Sequence, residues 1–343
     1  MVVDFQLAGH TDRDTYPEWG SAPRRPLVKF DMAHQGEWME SVIGQSVETG
    51  EPMVYHIVRC ELCVLTHIWP IPSTEGLARY YRDTFYQEEK KGYLERSLED
   101  ARWWTECTYK PLLRQCTMHV RLDCPEEDRI RFLDIGSGPG LALDTARAMG
   151  WHTTGIEPHA GLCERGTAQG HVMLHGTIDT ADLANKKYDV IGLYEVLEHS
   201  REPEELIRRC WELLDTNGVL YVAVPSDYNP LQYAACQQHN LFHYWISIPD
   251  HINYFTPATL KLLVRRCGFQ LRHIHMTYPM EQFLLDGDVY VGNPVVGRAC
   301  HKKRMTFELE QARIGDWNKL EQQYVLNVER RIGREIVAVF VKQ

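Results

Sequence analysis

Short apolar runs alternate with amphipathic stretches through the second half of the chain. Four of these runs have the composition of buried strands, namely IRFLDIG, WHTTGIEP, YDVIGLYEV and GVLYVAVP, and helical patterns separate them. Strands that alternate with helices predict a doubly wound α/β domain with a parallel, Rossmann-like sheet. A further short strand before Gly176, and LRHIHMTYP and REIVAVFVKQ as sixth and seventh strands, bring the predicted sheet to seven strands.

The rest of the chain divides into a head, a cap and an insertion. Met53–Pro72 contains two strand-like runs around a tight turn, and Thr74–Cys116 has helical patterning that is rich in aromatic residues. A mostly helical stretch separates the last two strands and is too long for a hairpin loop, so it predicts a lid or an oligomerisation element. The predicted boundaries are residues 1–75 for a small zinc-binding-like head, 76–128 for the cap, 129–343 for the catalytic domain and 281–332 for its helical insertion.

Composition narrows the range of partners. The 343 residues include 37 Lys+Arg and 47 Asp+Glu, which gives a net charge of −10. Phosphate binding needs a basic face, so duplex nucleic acid is disfavoured as a partner. The chain has no run of about 20 apolar residues, and its first residues lack the basic and apolar segments of a signal peptide. We therefore expect a cytoplasmic enzyme with reduced cysteines and no membrane partner, and a homo-oligomer stays open.

The strongest chemical signal is the segment LDIGSGPG, which follows a predicted strand and opens a helix. Its glycines Gly136, Gly138 and Gly140 allow a tight turn and the close approach of a ligand to the backbone. Glu157 ends the next strand, where a carboxylate accepts hydrogen bonds from both hydroxyls of a ribose. Leu141 stands where a dinucleotide-binding loop needs glycine or alanine, so the segment departs from that fingerprint.

Residues 129–280 resemble the class I S-adenosylmethionine-dependent methyltransferases, in the group that includes the ubiquinone-pathway O-methyltransferases. The matching segments are FLDIGSGPG, GIEP, YDVIGLYEVLEHSREPEE and GVLYVAVP. The resemblance implies that S-adenosylmethionine is the cofactor and that Glu157 holds its ribose. It also implies that Asp134, Gly136, Ser137, Gly138 and Gly140 cradle the methionine part, that Thr177 and Ile178 line the adenine, and that Tyr194 and Glu195 close over the cofactor.

Two histidines are candidates for the general base of methyl transfer. If EVLEHS is helical, its spacing puts Glu195, Glu198 and His199 on one face. The same tract in the ubiquinone-pathway enzymes is linked to a divalent metal or a base, and the alternative is a helix N-terminus that favours carboxylates. His251 lies in PDHINYFTPATL, which resembles a tract of this family and of sugar C-methyltransferases whose histidine is the base. We expect His251 to be the base, with His199 as the second candidate.

A histidine- and cysteine-rich segment predicts a structural metal site. His56, Cys60, Cys63 and His67 form the pattern H-x-x-x-C-x-x-C-x-x-x-H, which has the spacing of zinc ligands. The segment resembles the second knuckle of the N-terminal zinc domain of sugar C-methyltransferases, which pair it with an earlier C-x-x-C. No cysteine precedes Cys60 here, and His34 lies where the first knuckle would be. We expect zinc at His34, Cys60, Cys63 and His67, with His56 as the competing fourth ligand and an unmetallated thiol pair as the alternative.

The resemblance and the net charge together predict the reaction. We expect a methyltransferase that uses S-adenosylmethionine to methylate oxygen or carbon of a small molecule, such as a sugar, a nucleotide-linked sugar or a natural-product intermediate. The methyl group moves by direct displacement, so the protein mainly orients the reactants and removes a proton. Two alternatives remain: an RNA or protein acceptor, which the acidic charge disfavours, and a partner subunit that binds S-adenosylmethionine without turnover.

Overall fold

The computed structural model describes residues 34–81, 84–85, 92–120, 130–184 and 186–343, together with the backbone of 27–29. The strands are β1 Leu27–Lys29, β2 Gln35–Gln45, β3 Pro52–Cys60, β4 Thr66–Trp69, β5 Arg131–Ile135, β6 His152–Glu157, β7 Val172–His175, β8 Tyr188–Tyr194, β9 Leu214–Pro225, β10 Asn253–Tyr254, β11 Phe269–Met276 and β12 Glu335–Lys342. The α-helices are α1 Thr74–Tyr80, α2 Tyr93–Glu99, α3 Ala101–Trp103, α4 Lys110–Thr117, α5 Leu141–Ala148, α6 Ala160–Ala168, α7 Pro203–Leu213, α8 Pro230–His239, α9 Pro257–Arg266, α10 Glu281–Leu285, α11 Pro294–Arg313 and α12 Trp317–Arg330. A π-helical segment, Trp104–Tyr109, joins α3 to α4, and a 3₁₀ turn, Leu197–His199, follows β8. In the described part of the chain, no helix combines the length and the apolar character needed to cross a bilayer.

The catalytic sheet has seven strands in the order β11-β12-β9-β8-β5-β6-β7. This confirms the predicted seven-stranded α/β fold, and β5 to β9 run parallel to one another as expected. The strand–helix alternation predicts parallel strands only where helices connect them, and β12 runs antiparallel to β9 and β11. The start of β12 pairs with Pro225 and Met276, the last residues of those two strands. The insertion therefore begins and ends at the carboxyl edge of the sheet. Because β12 starts at this edge, it runs in the direction opposite to the other strands.

Alternate residues of the central strand β5 point into different hydrophobic cores. Phe132 packs in a core that includes Leu143 of α5, and Leu133 packs in a core that includes Leu263 of α9. Because successive side chains of a strand point to opposite faces, both faces of this sheet are covered. The carboxyl ends of the parallel strands remain as the edge at which segments of the chain converge on a site.

The insertion and the cap pack on each other through buried polar contacts. Trp103 of the cap donates a hydrogen bond through its indole N–H to Glu308 of α11 at 2.6 Å. Arg304, one turn earlier on α11, is 3.2 Å from the same carboxylate and lies over the Trp103 ring. A buried ion pair is favourable only when its remaining hydrogen-bonding groups are satisfied, as they are here by the indole. The cap and the insertion are thus held together by this buried group of side chains.

A second sheet joins the head to the catalytic domain. Its order is β1-β2-β3-β4-β10, and β10 is supplied by residues 253–254 of the second half of the chain. Tyr55 and Ile68 of the head share a hydrophobic core with Trp245 and Tyr254. The head is therefore anchored on the segment that carries His251.

Candidate active site

The glycine loop connects β5 to α5 in a conformation that side chains resist. Gly136, Gly138 and Gly140 have φ angles of 70°, 50° and 77°, within the left-handed region that favours glycine. A Cβ atom on Gly136 would lie 2.7 Å from a methyl carbon of Val196. The loop therefore presents bare backbone at the carboxyl edge of the sheet, where open α/β sheets bind ligands.

Two polar side chains at this loop are buried and incompletely hydrogen-bonded. The Ser137 hydroxyl has no hydrogen-bond partner among the residues that the structure describes. Asp134 accepts a long hydrogen bond of 3.4 Å from the Tyr221 hydroxyl. Burial raises the pKa of Asp134 to about 8, although the Tyr221 hydrogen bond opposes that rise. Leaving a buried polar group unpaired costs about 1–3 kcal/mol, so both groups are suited to a polar ligand.

Glu157 lies beside the glycine loop because β6 neighbours β5. Its side chain is only 1% exposed, and its carboxylate accepts hydrogen bonds from the backbone N–H groups of Gly138, at 2.9 Å, and His159, at 2.8 Å. The N–H of Gly176 donates to the Glu157 carbonyl oxygen at 3.0 Å. The segment after β7, in which Ile178 is buried and Thr177 exposed, is thereby held next to Glu157. The predicted ribose and adenine residues are brought together.

The cap adds a tyrosine that sequence reasoning did not assign to the site. A Cβ atom on Gly138 would lie 3.3 Å from the Tyr93 hydroxyl. Burial raises the pKa of Tyr93, and the charges of Glu195, Glu157 and Asp134 add to that rise. The phenol of α2 therefore lies over the glycine loop, among the acidic groups of the predicted cofactor site. The only sequence signal for this contact was the abundance of aromatic residues in the cap.

The end of β8 differs from the expected helix. The N–H of Glu195 donates to the Ala223 carbonyl oxygen at 2.9 Å, which extends the pairing of β8 with β9. Glu195 then turns the chain with φ of 53°, and the helical turn contains only Leu197–His199. The expectation that Glu195 shares a helical face with the two residues after Leu197 is therefore wrong. Tyr194 is partly buried, and its hydroxyl donates to Glu335 at 3.2 Å.

Asp250 connects the two predicted catalytic histidines. Its Oδ1 atom lies 3.0 Å from Nδ1 of His199 and accepts a hydrogen bond of 3.2 Å from the Tyr81 hydroxyl. Its Oδ2 atom lies 3.9 Å from Nε2 of His251. The two imidazole rings are 5.0 Å apart between centroids and nearly perpendicular. Sequence reasoning found both histidines but not Asp250, although Asp250 directly precedes His251.

The surroundings raise the pKa of both Glu198 and His199, for different reasons. Glu198 is fully buried, and this desolvation raises its pKa to about 8, with the His199 charge opposing the rise. Burial alone would lower the pKa of His199, but the charge and hydrogen bonds of Asp250 outweigh it and raise the pKa to about 9. His199 is therefore an imidazolium at neutral pH.

We expect Asp250→Asn to reduce the pH dependence of stability. The folded-state pKa of His199 lies above the reference value of 6.5, so its interaction with Asp250 stabilises the fold fully below pH 6.5 and is lost as pH rises through about 9. That contribution is as much as about 3 kcal/mol, and Asp250→Asn removes most of it. Denaturant unfolding at pH 6.5 and pH 9 measures the difference, with exposed Asp182→Asn as the control that follows the wild type. Parallel losses in Asp250→Asn and the wild type would contradict the assignment.

Four sulfur and nitrogen ligand atoms converge at the turn between β3 and β4. His34, Cys60, Cys63 and His67 each offer one such atom, and these atoms lie within 4.8 Å of one another. The Cys60 sulfur is 3.9 Å from Nδ1 of His34. His56 lies outside this cluster, because its Nδ1 is hydrogen-bonded to the Ser41 hydroxyl at 2.7 Å. The structure therefore brings together the four residues that the sequence favoured.

His67 and Cys60 offer electron pairs that suit the binding of a cation. His67 is 1% exposed, its Nδ1 is bonded to the Ile68 carbonyl at 2.9 Å, and its Nε2 has no hydrogen-bond partner in the described residues. A carbonyl only accepts hydrogen bonds, so Nδ1 of His67 is the donor, and in the neutral ring Nε2 carries a lone pair, as in histidines that bind metals. The hydrogen bond from Cys63 lowers the pKa of Cys60, and its counterpart raises the pKa of Cys63.

The chain is similar to known methyltransferases over its catalytic half. Residues 112–274 match a family model described as a methyltransferase domain. A ubiquinone biosynthesis O-methyltransferase of Aeromonas salmonicida is 27% identical over 212 residues, which cover 56% of this chain and 87% of that protein. The protein of the same name in Azorhizobium caulinodans is 26% identical over 42% of this chain, which spans only 60% of that relative's length.

Solved structures include chains with a partial likeness. A S-adenosylmethionine-dependent methyltransferase from Archaeoglobus fulgidus is 17% identical, has a TM-score of 0.45, and covers 76% of this chain and 100% of its own length. The family match covers the glycine loop, Glu157 and the EVLEHS tract. This chain therefore carries a methyltransferase domain of the S-adenosylmethionine-dependent kind, similar to that of the ubiquinone biosynthesis O-methyltransferases.

Proposed function

We propose that the chain methylates an oxygen or carbon atom of a small hydroxylated molecule, such as a sugar, a nucleotide-linked sugar or a natural-product intermediate. The observation that carries the proposal is the position of the His199–Asp250–His251 cluster. The N–H of Ile252 donates to the Glu198 carbonyl at 2.8 Å, so the segment of His251 is held against the turn that follows β8. Acid–base groups and the glycine loop thus share the carboxyl edge of the sheet.

The residues of the glycine loop fit S-adenosylmethionine. The unpaired Ser137 hydroxyl and the bare backbone of Gly136 and Gly138 suit the polar methionine end. Its positive charge would lower the raised pKa of buried Asp134 and so favour the carboxylate form. Glu157 is the group for the ribose hydroxyls, Thr177 and Ile178 flank the adenine, and Tyr194 and Glu195 border the side on which the acceptor lies. The bound cofactor supplies a methyl group on a sulfonium, which is a good leaving group for in-line displacement.

We infer that His251 is the general base and His199 a positioning residue. An imidazole accepts a proton only in its neutral form, and His199 stays protonated up to a pKa of about 9. Asp250 lies between the rings and accepts the hydrogen bond of Tyr81, so it fixes the orientation of both. In this arrangement His251 removes the acceptor proton while charged His199 stabilises the negative charge that develops nearby.

In an alternative mechanism, the same residues bind a divalent cation. Ligand atoms of Glu198, His199 and His251 lie within 4.8 Å of one another, and Oε2 of Glu198 is buried without a hydrogen-bond partner in the described residues. These three residues would hold the ion, which would lower the pKa of an acceptor hydroxyl. Loss of turnover in a chelator and its recovery with a divalent transition-metal ion such as Mn²⁺ or Co²⁺ would favour this arrangement over His251 as base.

The buried surface beyond β9 favours a hydroxyl-rich acceptor. Carboxylate oxygens of Asp227 and Glu281 and the hydroxyl of Tyr254 are buried without hydrogen-bond partners among the described residues. The charges of Asp227 and Asp250 both raise the pKa of Tyr254, after burial itself, so these groups lie near the histidine cluster, and the charge of Arg334 opposes the rise in the pKa of Asp227 and Glu281. Unpaired buried acceptors favour a ligand that brings donors, and sugar hydroxyls are donors of this kind.

Methyl transfer from labelled S-adenosylmethionine tests the proposal. The purified protein is incubated with nucleotide-linked sugars and with fractionated small-molecule extracts, and release of S-adenosylhomocysteine is measured. We expect His251→Gln to lower the turnover rate about 100-fold or more while cofactor affinity stays within twofold, and exposed His152→Gln to match the wild type.

The same experiment separates the alternatives. Cofactor binding without release of S-adenosylhomocysteine in every fraction would indicate a non-catalytic partner subunit. Label in RNA or protein, but in no small molecule, would overturn the acceptor class. Full turnover by His251→Gln would overturn its role as base.

We also propose that His34, Cys60, Cys63 and His67 hold a structural zinc ion. Two sulfur and two nitrogen donors make a closed tetrahedral set. At zinc–ligand distances of about 2.0–2.3 Å, a tetrahedral site separates sulfur and nitrogen by about 3.6 Å, close to the 3.9 Å between Cys60 and His34. The Nε2 atom of His67 is buried without a hydrogen-bond partner among the described residues, so it is available to bind a cation. The ion would fix the turn between β3 and β4, the latter of which pairs with the segment after His251.

A further inference from the structure

A third group of side chains that could bind a metal lies at β11, an edge strand of the seven-stranded sheet. His273 and His275 are two residues apart on the edge strand β11, so their side chains share one face. Glu321 comes from α12, which packs on that face. One ligand atom from each of the three residues lies within 4.8 Å of the others. Neither the glycine loop nor the histidine–aspartate cluster contains any of these residues.

The separations between these atoms match those of ligands around one ion. Nε2 of His273 is 3.0 Å from Nδ1 of His275 and 3.7 Å from Oε1 of Glu321. Ligands at about 2.0–2.2 Å from a metal are about 3.0 Å apart at a right angle and about 3.7 Å apart at an angle near 120°. A hydrogen bond between two ring nitrogens also requires one of them to be an unprotonated acceptor. One of the two nitrogens therefore already lacks a proton, and a metal ion bound by both would displace the proton that now lies between them.

The surroundings orient these ligands and leave room for others. The side-chain amide of Gln115 donates to Oε1 of Glu321 at 2.9 Å, as an outer hydrogen bond to a ligating carboxylate does. A cavity of about 30 Å³, lined by His275 and Glu321 together with Trp317 and Tyr324, adjoins the group. This volume accommodates a water molecule. Three protein ligands and a water complete a four-coordinate site of the open kind.

We propose that His273, His275 and Glu321 bind a divalent transition-metal ion such as Zn²⁺ or Co²⁺, with water in the adjoining cavity as a further ligand. Two imidazoles and one carboxylate favour such ions over Mg²⁺ or Ca²⁺, which take oxygen ligands. The ion connects the edge strand of the sheet to the last helix of the insertion. Binding of the ion would therefore hold α12 of the insertion against β11, independently of the cofactor site.

Titration with Co²⁺ tests this proposal on the full-length protein. Cobalt bound by thiolates absorbs through sulfur-to-metal charge transfer, whereas cobalt at His273, His275 and Glu321 has no sulfur ligand. We expect calorimetry and absorption spectra of the wild type to find at least one equivalent of Co²⁺ that binds without a thiolate band, and one such equivalent should depend on Glu321. Glu321→Gln keeps the size of the side chain and an acceptor for Gln115, and we expect it to weaken that equivalent at least tenfold.

Matched controls make the result decisive. Glu329→Gln changes an exposed carboxylate on the same helix and should bind Co²⁺ as the wild type does, while His273→Gln should fail as Glu321→Gln does. Amide hydrogen exchange gives a second readout, because Co²⁺ should slow exchange in residues 317–330 of the wild type and not of Glu321→Gln. Equal thiolate-free binding by Glu321→Gln and the wild type would overturn the proposal, as would the lack of such an equivalent in a folded wild type.

Discussion

Glu157→Gln is expected to weaken S-adenosylmethionine binding tenfold to a hundredfold, or about 1.4–2.8 kcal/mol. A hydrogen bond to a charged group contributes about 1.5–3 kcal/mol, and the carboxylate is the only buried anion at the end of β6. Glutamine has one acceptor oxygen and one NH₂ group where glutamate has two acceptor oxygens. The NH₂ group would face the backbone N–H of Gly138 or His159, both of which donate to Glu157, and contact with one ribose hydroxyl would be lost.

Calorimetry with S-adenosylmethionine and with S-adenosylhomocysteine measures this loss. Glu164→Gln is the matched control, because Glu164 is an exposed residue of the following helix. Its affinity should stay within twofold of the wild type. Thermal unfolding without ligand distinguishes a lost contact from a disordered loop. An unchanged affinity in folded Glu157→Gln would remove this residue from the cofactor site.

Cys60→Ser is expected to remove one equivalent of zinc per chain and to destabilise the head strongly. The free energy of metal binding is also folding free energy where a site does not exist in the unfolded chain. We expect a loss of several kcal/mol, well above the roughly 1 kcal/mol of an average substitution. The effect should spread to the His251 segment, because β4 pairs directly with residues 253–254.

Metal analysis and thermal unfolding of the purified protein check this expectation. Cys163→Ser is the control, since Cys163 is also buried but lies in α6, away from the cluster. It should keep all of its zinc. Addition of a strong chelator to the wild type should reproduce the Cys60→Ser transition. A wild type that folds without metal and is unaffected by the chelator would leave an unmetallated thiol pair as the correct interpretation.

The glycine loop and the strands around it could be predicted because their information is local. Three glycines at spacing two have few uses other than a left-handed turn, and the φ angles of Gly136, Gly138 and Gly140 are all positive. Apolar runs such as RFLDI are buried on both faces wherever helices cover a sheet. The proximity of Glu157 to this loop follows from the adjacency of β5 and β6, which the spacing implied.

The fourth member of the Cys/His cluster could not be read from spacing alone. His34 and His56 are both within reach of Cys60 along the chain. Their positions follow from the pairing of β2 with β3, in which Gly36 is opposite Cys60 and Ser41 is opposite His56. That register puts the start of β2, and with it His34, at the turn of the two cysteines. It puts His56 four residues back along β3.

Asp250 and Tyr93 show what sequence reasoning missed. Asp250 bonds across 51 positions to His199, and Tyr93 reaches Gly138 from a helix of the cap. Neither contact has a periodicity or a motif, because it arises where two separately folded segments meet. The same holds for Glu321, which joins His273 and His275 only when α12 packs on β11.

The sequence by itself predicted the seven strands and the glycine loop, because these depend on backbone conformation and on burial patterns within short segments. The class of enzyme was implied by the resemblance of residues 129–280 to known methyltransferases. The tertiary structure alone decided that β12 runs backward, that His34 rather than His56 joins the cysteines, and that Asp250 holds His199 in its charged form. Each of these depends on which distant segment lies alongside and on how deeply it is buried. Burial and neighbouring charge set the pKa values of Glu198 and His199, and both are properties of the folded chain.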